Sequence, residues 1–222
     1  MNRRPIFELF LLTWVAGNMD ALSYLRAGVF TANMTGNTVV LGLGLAGHNE
    51  SRTFPALAAV FAYALGAAIG SATWARSAAR KHWSEDLKLG TALELPFVLA
   101  FVLLTAVGPE PVPFSAGIAL TLLAAVPMGI QSVAAWELRI SKVWTTFITG
   151  TLTMAVLSWV SREESQSGGQ ERGSPWLLTS ILFCYVGAAA VGGVLLPRQR
   201  IAAAVIPFAA ILTAQIRART VA

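Results

Sequence analysis

The sequence predicts an all-α polytopic membrane protein with about six to eight hydrophobic helical segments. Three observations carry this. Of the 222 residues, 55% are hydrophobic and 12% are charged, against about 25% charged in an ordinary soluble domain. The mean hydropathy is +0.64. Residues 53–75, 111–136, 143–161 and 173–197 are free of charge, and each is long enough for the roughly 20-residue helix that crosses a bilayer core. None shows the polar face of a soluble surface helix. The whole chain reads as one integral membrane domain.

Taken in order, the segments are 6–25, a short second one at 35–47, 54–74 and 89–107, then 114–135, 143–160, 176–196 and a weak eighth at 201–216. Arg3 and Arg4 before the first apolar run resemble a signal peptide, but no Ala-x-Ala site closes it, so it is read as an uncleaved span. Residues 108–113 form a proline-rich link. Residues 161–174 are the longest polar stretch and are read as a loop. Glu94 sits near the start of its segment and is expected to reach the membrane interface.

The segments pair as two repeats, about 7–109 and 114–218. Gly17 answers to Gly129, Thr35-Gly36 to Thr149-Gly150, Tyr63 and Gly70 to Tyr185 and Gly192, and Pro96-Phe97 to Pro207-Phe208. Four segments per unit give an even number of crossings, taken to stay even if one segment dips in and returns. That relates the copies by an axis along the membrane normal. A segment lying in the surface would make the count odd and invert the repeats. Lys and Arg lean only slightly to one side, with the N-terminus outside.

Within this apolar chain, residues 16–38 stand out. They carry Asn18, Asp20, Arg26, Asn33, Thr35 and Asn37, broken by Gly17, Gly28 and Gly36, and a fainter copy spans 128–151. Asp20 in an apolar span points to function by default. The alternative is a headgroup-level carboxylate or one paired with Arg26. Thr35-Gly36-Asn37-Thr38 and Thr149-Gly150-Thr151 each lead into an apolar helix. Thr or Asn satisfies free backbone N–H groups at such a start, and glycine permits the turn. Starts placed inside the membrane would aim their N–H groups at a polar solute, as broken transporter helices do. Starts at the surface would be ordinary capped turns.

Other motifs carry less. Gly42-Leu-Gly-Leu-Ala-Gly47 matches a dinucleotide fingerprint, but it lies in a span without the strand and ribose carboxylate that the chemistry needs. Gly66-Ala-Ala-Ile-Gly70 and Ala188-Ala-Ala-Val-Gly192 read as helix-packing seams. Asn33-Met-Thr35 and Asn49-Glu-Ser51 match the glycosylation pattern by chance. His48 and His82 are solitary, and the single Cys184 excludes an intrachain disulfide. No nucleophile–base pair appears, so no enzyme activity, cofactor or metal is expected. The net charge of +5 sits at span ends, which fits lipid headgroups and not nucleic acid.

Residues AGNMDALSYL, GVFTANMTGNTVVLG, PMGIQSVA and TTFITGTLT make the chain resemble the YoaK-like family of bacterial integral membrane proteins, a domain of unknown function. The resemblance covers essentially the whole chain and implies a multi-pass protein of the bacterial inner membrane. Pro127 and Ser132 depart from the Ala and Asn usual in that pattern. The function expected is a small-solute transporter or channel with a polar path between the two repeats. Asp20, Asn33, Thr35, Gly36, Asn37, Gln131, Thr145, Thr149 and Gly150 are its candidate lining. A non-transporting membrane assembly or sensor protein is the alternative. The partners expected are the lipid bilayer and an unidentified small solute, with self-association as a homo-oligomer left open.

Overall fold

The computed structural model describes residues 6–48, 50–75, 83–137, 148–160 and 174–221. These residues form eight helices and no strand: α1 (Ile6–Ala27), α2 (Met34–Leu45), α3 (Glu50–Ala75), α4 (Trp83–Val107), α5 (Phe114–Glu137), α6 (Ile148–Val160), α7 (Pro175–Leu195) and α8 (Arg200–Val221). Six of the described helices are long and apolar enough to cross a membrane; α2 and α6 are the shorter apolar ones. The weak eighth segment is a full helix of 22 residues. Gly28, at φ 75°, ends α1; a side chain there would be strained.

α1, α5, α4 and α8 close a ring, each packing on the next. α3 lies outside α5 and α7 outside α1; α2 then leans on α3, and α6 on α7. Helices in lipid lack a hydrophobic drive toward each other, so close backbone approach matters. The glycines supply it. A Cβ on Gly129 would run into the carbonyl of Tyr63, and one on Gly17 into the carbonyl of Tyr185. Gly66 meets the carbonyl of Val126, and Gly192 meets the Asn18 side chain. The apolar surface faces outward, with Phe61, Leu65, Leu103, Phe183 and Val186 exposed.

Helix directions follow from the contacts. Glu8 and Arg217, 2.9 Å apart, bring the start of α1 to the end of α8. Arg26 pairs with Glu110, and Arg200 lies 3.2 Å from the same carboxylate. The ends of α1 and α4 and the start of α8 therefore share the other face. α7 runs parallel to α1, with Cys184 beside Phe10 and Gly192 beside Ala21. α3 likewise runs parallel to α5, through Tyr63 on Gly129 and Gly70 on Val133. The chain thus crosses with α1, returns with α3, and crosses with α4, while α5 returns, α7 crosses and α8 returns. The expectation of an even count per half does not hold. α2 and α6 each return to the face they leave by, which adds no crossing. Three of the six candidate spans fall in about residues 7–109 and three in about 114–218, and the two sets alternate in opposite senses.

The depth at which α2 and α6 begin follows from their partners. α2 runs antiparallel to α3: Gly44 meets Thr53, and Val40 and Leu41 pack with Ala56 and Ala59. At equal rise per residue, Met34 then stands level with about Tyr63, the middle of α3. α6 runs antiparallel to α7: Trp159 donates to the Thr179 hydroxyl at 3.1 Å, and Ala155 packs with Leu178 and Ile181. Thr149 accordingly stands near the middle of α7. Both short helices begin at mid-depth. α2 runs out to the face of Arg26 and α6 to the opposite one. Residues 143–147 of the expected sixth segment lie outside the described residues.

The glycine contacts give a direct test. Gly129→Ala should destabilise the folded protein by about 1–3 kcal/mol, the cost of overpacking a filled contact. Gly187→Ala, where a Cβ meets nothing within 4 Å, should leave thermal unfolding in detergent unchanged. Equal melting temperatures for both variants would remove the packing argument.

Candidate functional site

Asp20 lies on α1, two turns before its end, and is 3% exposed. One carboxylate oxygen accepts from the backbone N–H groups of Thr31 and Ala32, each at 2.6 Å, and from the Thr31 hydroxyl at 3.2 Å. The other accepts from the Tyr185 hydroxyl of α7. A buried carboxylate is tolerable because hydrogen-bond donors replace its water. These bonds draw the chain after α1 back along the helix. Asp20 is about 10 Å of helix rise before Ala27, so Thr31 and Ala32 re-enter to that depth and α2 starts there.

The next polar residues fix the same turn. Asn37 is buried; its amide accepts from the Phe30 N–H at 2.9 Å and donates to the Phe30 carbonyl at 2.6 Å. Asn33 is the N-cap of α2, its side chain accepting from the Gly36 N–H at 3.3 Å. A Cβ on Gly36 would press on the Phe30 ring at 3.0 Å. That ring stacks on Tyr24 with centroids 4.9 Å apart. Asp20, Asn37 and Gly36 thus spend their chemistry on the connection itself. Asn33 and Thr35 are exposed at the helix start.

The remaining candidates lie elsewhere. Gln131 is fully buried on α5 and donates to the Leu12 carbonyl at 3.0 Å. Thr149 is exposed at the start of α6, Gly150 is half-buried, and Thr145 lies outside the described residues. The packing order α2, α3, α5, α1, α7, α6 puts four helices between the two starts. A single path lined by both motifs is not what this packing gives. Arg26 pairs with Glu110, not with Asp20.

Several residues of consequence fall outside the candidate lining. Tyr185 holds Asp20, and its match Tyr63 donates to the Ser132 hydroxyl at 2.6 Å. The same tyrosine contact therefore occurs on both sides of the ring, to a carboxylate on one and a hydroxyl on the other. Glu94, expected at the interface, is instead fully buried. The signal was its register: Leu87, Thr91, Glu94, Val98 and Phe101 fall on one helical stripe. Among the described residues, no group of three His, Cys, Asp or Glu comes together.

The comparisons with known proteins agree with the membrane reading. The family model described as "Protein of unknown function (DUF1275)" matches residues 9–217. The chain is 34% identical over 154 residues to the "UPF0700 transmembrane protein YoaK" of Bacillus subtilis (strain 168), a match covering 68% of this chain and 64% of that one. The chain thus spans about 64% of that relative's length. No solved structure matches. The chain belongs to the DUF1275 family, and it is an integral membrane protein.

Because Asp20 satisfies two buried backbone N–H groups, Asp20→Ala should cost about 2–6 kcal/mol, at roughly 1–3 kcal/mol per orphaned group. Tyr185→Phe should cost about 1–2 kcal/mol. A double-mutant cycle on thermal unfolding should show the two losses to be less than additive. Strict additivity would separate the two residues.

Proposed function

We propose that this DUF1275 protein is a small-solute transporter or channel of the bacterial cell membrane, built from two inverted repeats. The observation that carries the reading is the pair of short helices beginning at mid-depth and leaving toward opposite faces. Broken helices of this kind present free N–H groups and a positive dipole end to polar solutes. Asn33 and Thr35 on α2 and Thr149 on α6 are exposed at those starts. Exposed polar groups and helix ends at that depth need water or protein beside them, since lipid cannot bond them. The solute would meet α2 and α6 at two separate places, and a neighbouring copy of the chain could seal each from lipid. Supporting the repeat, α1 meets α7 as α5 meets α3, through Gly17 on Tyr185 and Gly129 on Tyr63.

One observation favours the second reading, a non-transporting membrane assembly or sensor protein. Asp20 and Asn37 already bond to the protein's own backbone, which suits a purely architectural motif.

Orientation belongs to the same proposal. Of the 16 Lys and Arg, Arg26, Arg52, Arg198 and Arg200 stand at the face where α1 ends. Lys88, Arg217 and Arg219 lie toward the opposite face, and the other nine fall, in sequence, before α1 or between α3 and α4, α5 and α6, or α6 and α7. The positive-inside rule then places the start of α1 and the end of α8 in the cytoplasm. This reverses the outside N-terminus expected from eight crossings.

Purified protein in liposomes should speed the swelling of vesicles in at least one small polar solute of a panel, read by light scattering. Asn33→Ala and Thr35→Ala should slow it. A panel in which no solute outpaces empty vesicles would favour the second reading. In intact cells carrying Cys184→Ser, His48→Cys should react with an impermeant maleimide and Thr220→Cys should not. The reverse pattern would overturn the orientation.

A further inference from the structure

Glu94 is the buried ionisable group that the preceding account leaves unused. It is 0% exposed, and neither carboxyl oxygen has a hydrogen-bond partner. Its place in the ring follows from two contacts of α4. Gly90 faces α5, where a Cβ would lie 2.8 Å from that of Ala134. Thr91 faces α8, its hydroxyl bonded to the Gln215 side chain. At about 100° per residue, Glu94 falls between those two directions, about 40° round from Gly90. It therefore lies on the side of α4 turned to the ring's interior. Leu87, one end of the same stripe, packs there with Leu12 of α1 and Ala218 of α8.

Among the described residues, no cation stands in this interior. The ionisable groups of α8 are Arg200, Arg217 and Arg219, at its two ends, and α5 has only Glu137, at its end. On α1, Glu8 pairs with Arg217, Asp20 is held by Tyr185 and the connection, and Arg26 pairs with Glu110; Tyr24 is exposed. An isolated carboxylate in such a place would cost several kcal/mol or more, whereas a neutral carboxylic acid costs only its unmade hydrogen bonds. One neutral acceptor on α5 stands at the same height. One turn on from the Gly90–Ala134 contact, Glu94 is level with Gln131, whose amide donates to Leu12 while its oxygen has no partner.

We propose that Glu94 is a proton-binding site at the heart of the helix ring. It carries its proton in the closed ring described here and releases it to water when the ring opens, leaving a carboxylate that this water solvates. If the transport reading above holds, Glu94 is the group that ties proton movement to solute movement; that clause rests on that reading, and the protonation does not.

Infrared difference spectra between neutral and alkaline pH, recorded on the full chain in liposomes, test the protonation without any solute. A carboxylic-acid C=O band should be present at neutral pH, be missing in Glu94→Gln, and persist in Asp20→Asn. Identical carboxylic-acid spectra for wild type and Glu94→Gln would overturn the proposal. So would failure of Glu94→Gln to insert while Glu94→Asp inserts normally, since a neutral amide should replace a neutral acid but not a needed charge. The swelling assay reads the transport function separately, so a silent panel with an intact Glu94 band would sink the transport reading alone.

Discussion

The bonds from the Asp20 carboxylate to the Thr31 and Ala32 amides are the constraint on which the unusual part of this fold depends. A chain leaving a transmembrane helix normally stays in the headgroup region, because its backbone N–H groups need water. Here a carboxylate inside the membrane supplies the acceptors that water would have supplied, so the chain turns back to it. Tyr185 braces that carboxylate from α7, and Asn37 repeats the device by binding both backbone groups of Phe30. The consequence is a helix that begins at mid-depth. Polar residues that would be costly in lipid stabilise an interruption that would otherwise be costlier.

The second half reaches a related arrangement by different chemistry. Tyr63 meets Ser132 where Tyr185 meets Asp20, and α6 begins at mid-depth as α2 does. The absence of an acidic twin was legible in the sequence, since Ser132 stands in that place. A hydroxyl that is both donor and acceptor demands less of its surroundings than a carboxylate. The charge in this pair of contacts therefore sits on one side alone.

Much of the fold was legible because membrane spans announce themselves by length and apolarity. The short segment after Thr35 and the small-residue seams follow from residue type and spacing, whereas the cap that Asn33 makes on the Gly36 N–H was not read from them. What the sequence could not reveal is direction and proximity. A short apolar helix has the same composition whether it crosses, dips or lies flat, so composition alone does not give the parity of the crossings. Asp20 looked like a site because charge in an apolar span is rare; only its partners show that it binds backbone. Glu94 looked interfacial because it lies near a segment start. Its stripe with Leu87, Thr91, Val98 and Phe101 pointed inward, but a stripe shows which way a residue faces only once the neighbouring helices are known.

The central claim is that α2 begins in the middle of the bilayer. Spin labels at Thr35→Cys, Leu45→Cys and Phe61→Cys, in a Cys184→Ser background in lipid vesicles, measure it by relative exposure to oxygen and to a water-soluble relaxant. All three sites are exposed on the protein surface. A label at residue 35 should match the depth of residue 61, near the middle of α3, and lie well below residue 45. A label at residue 35 reporting the same shallow depth as residue 45 would contradict the account, since α2 would then lie along the surface.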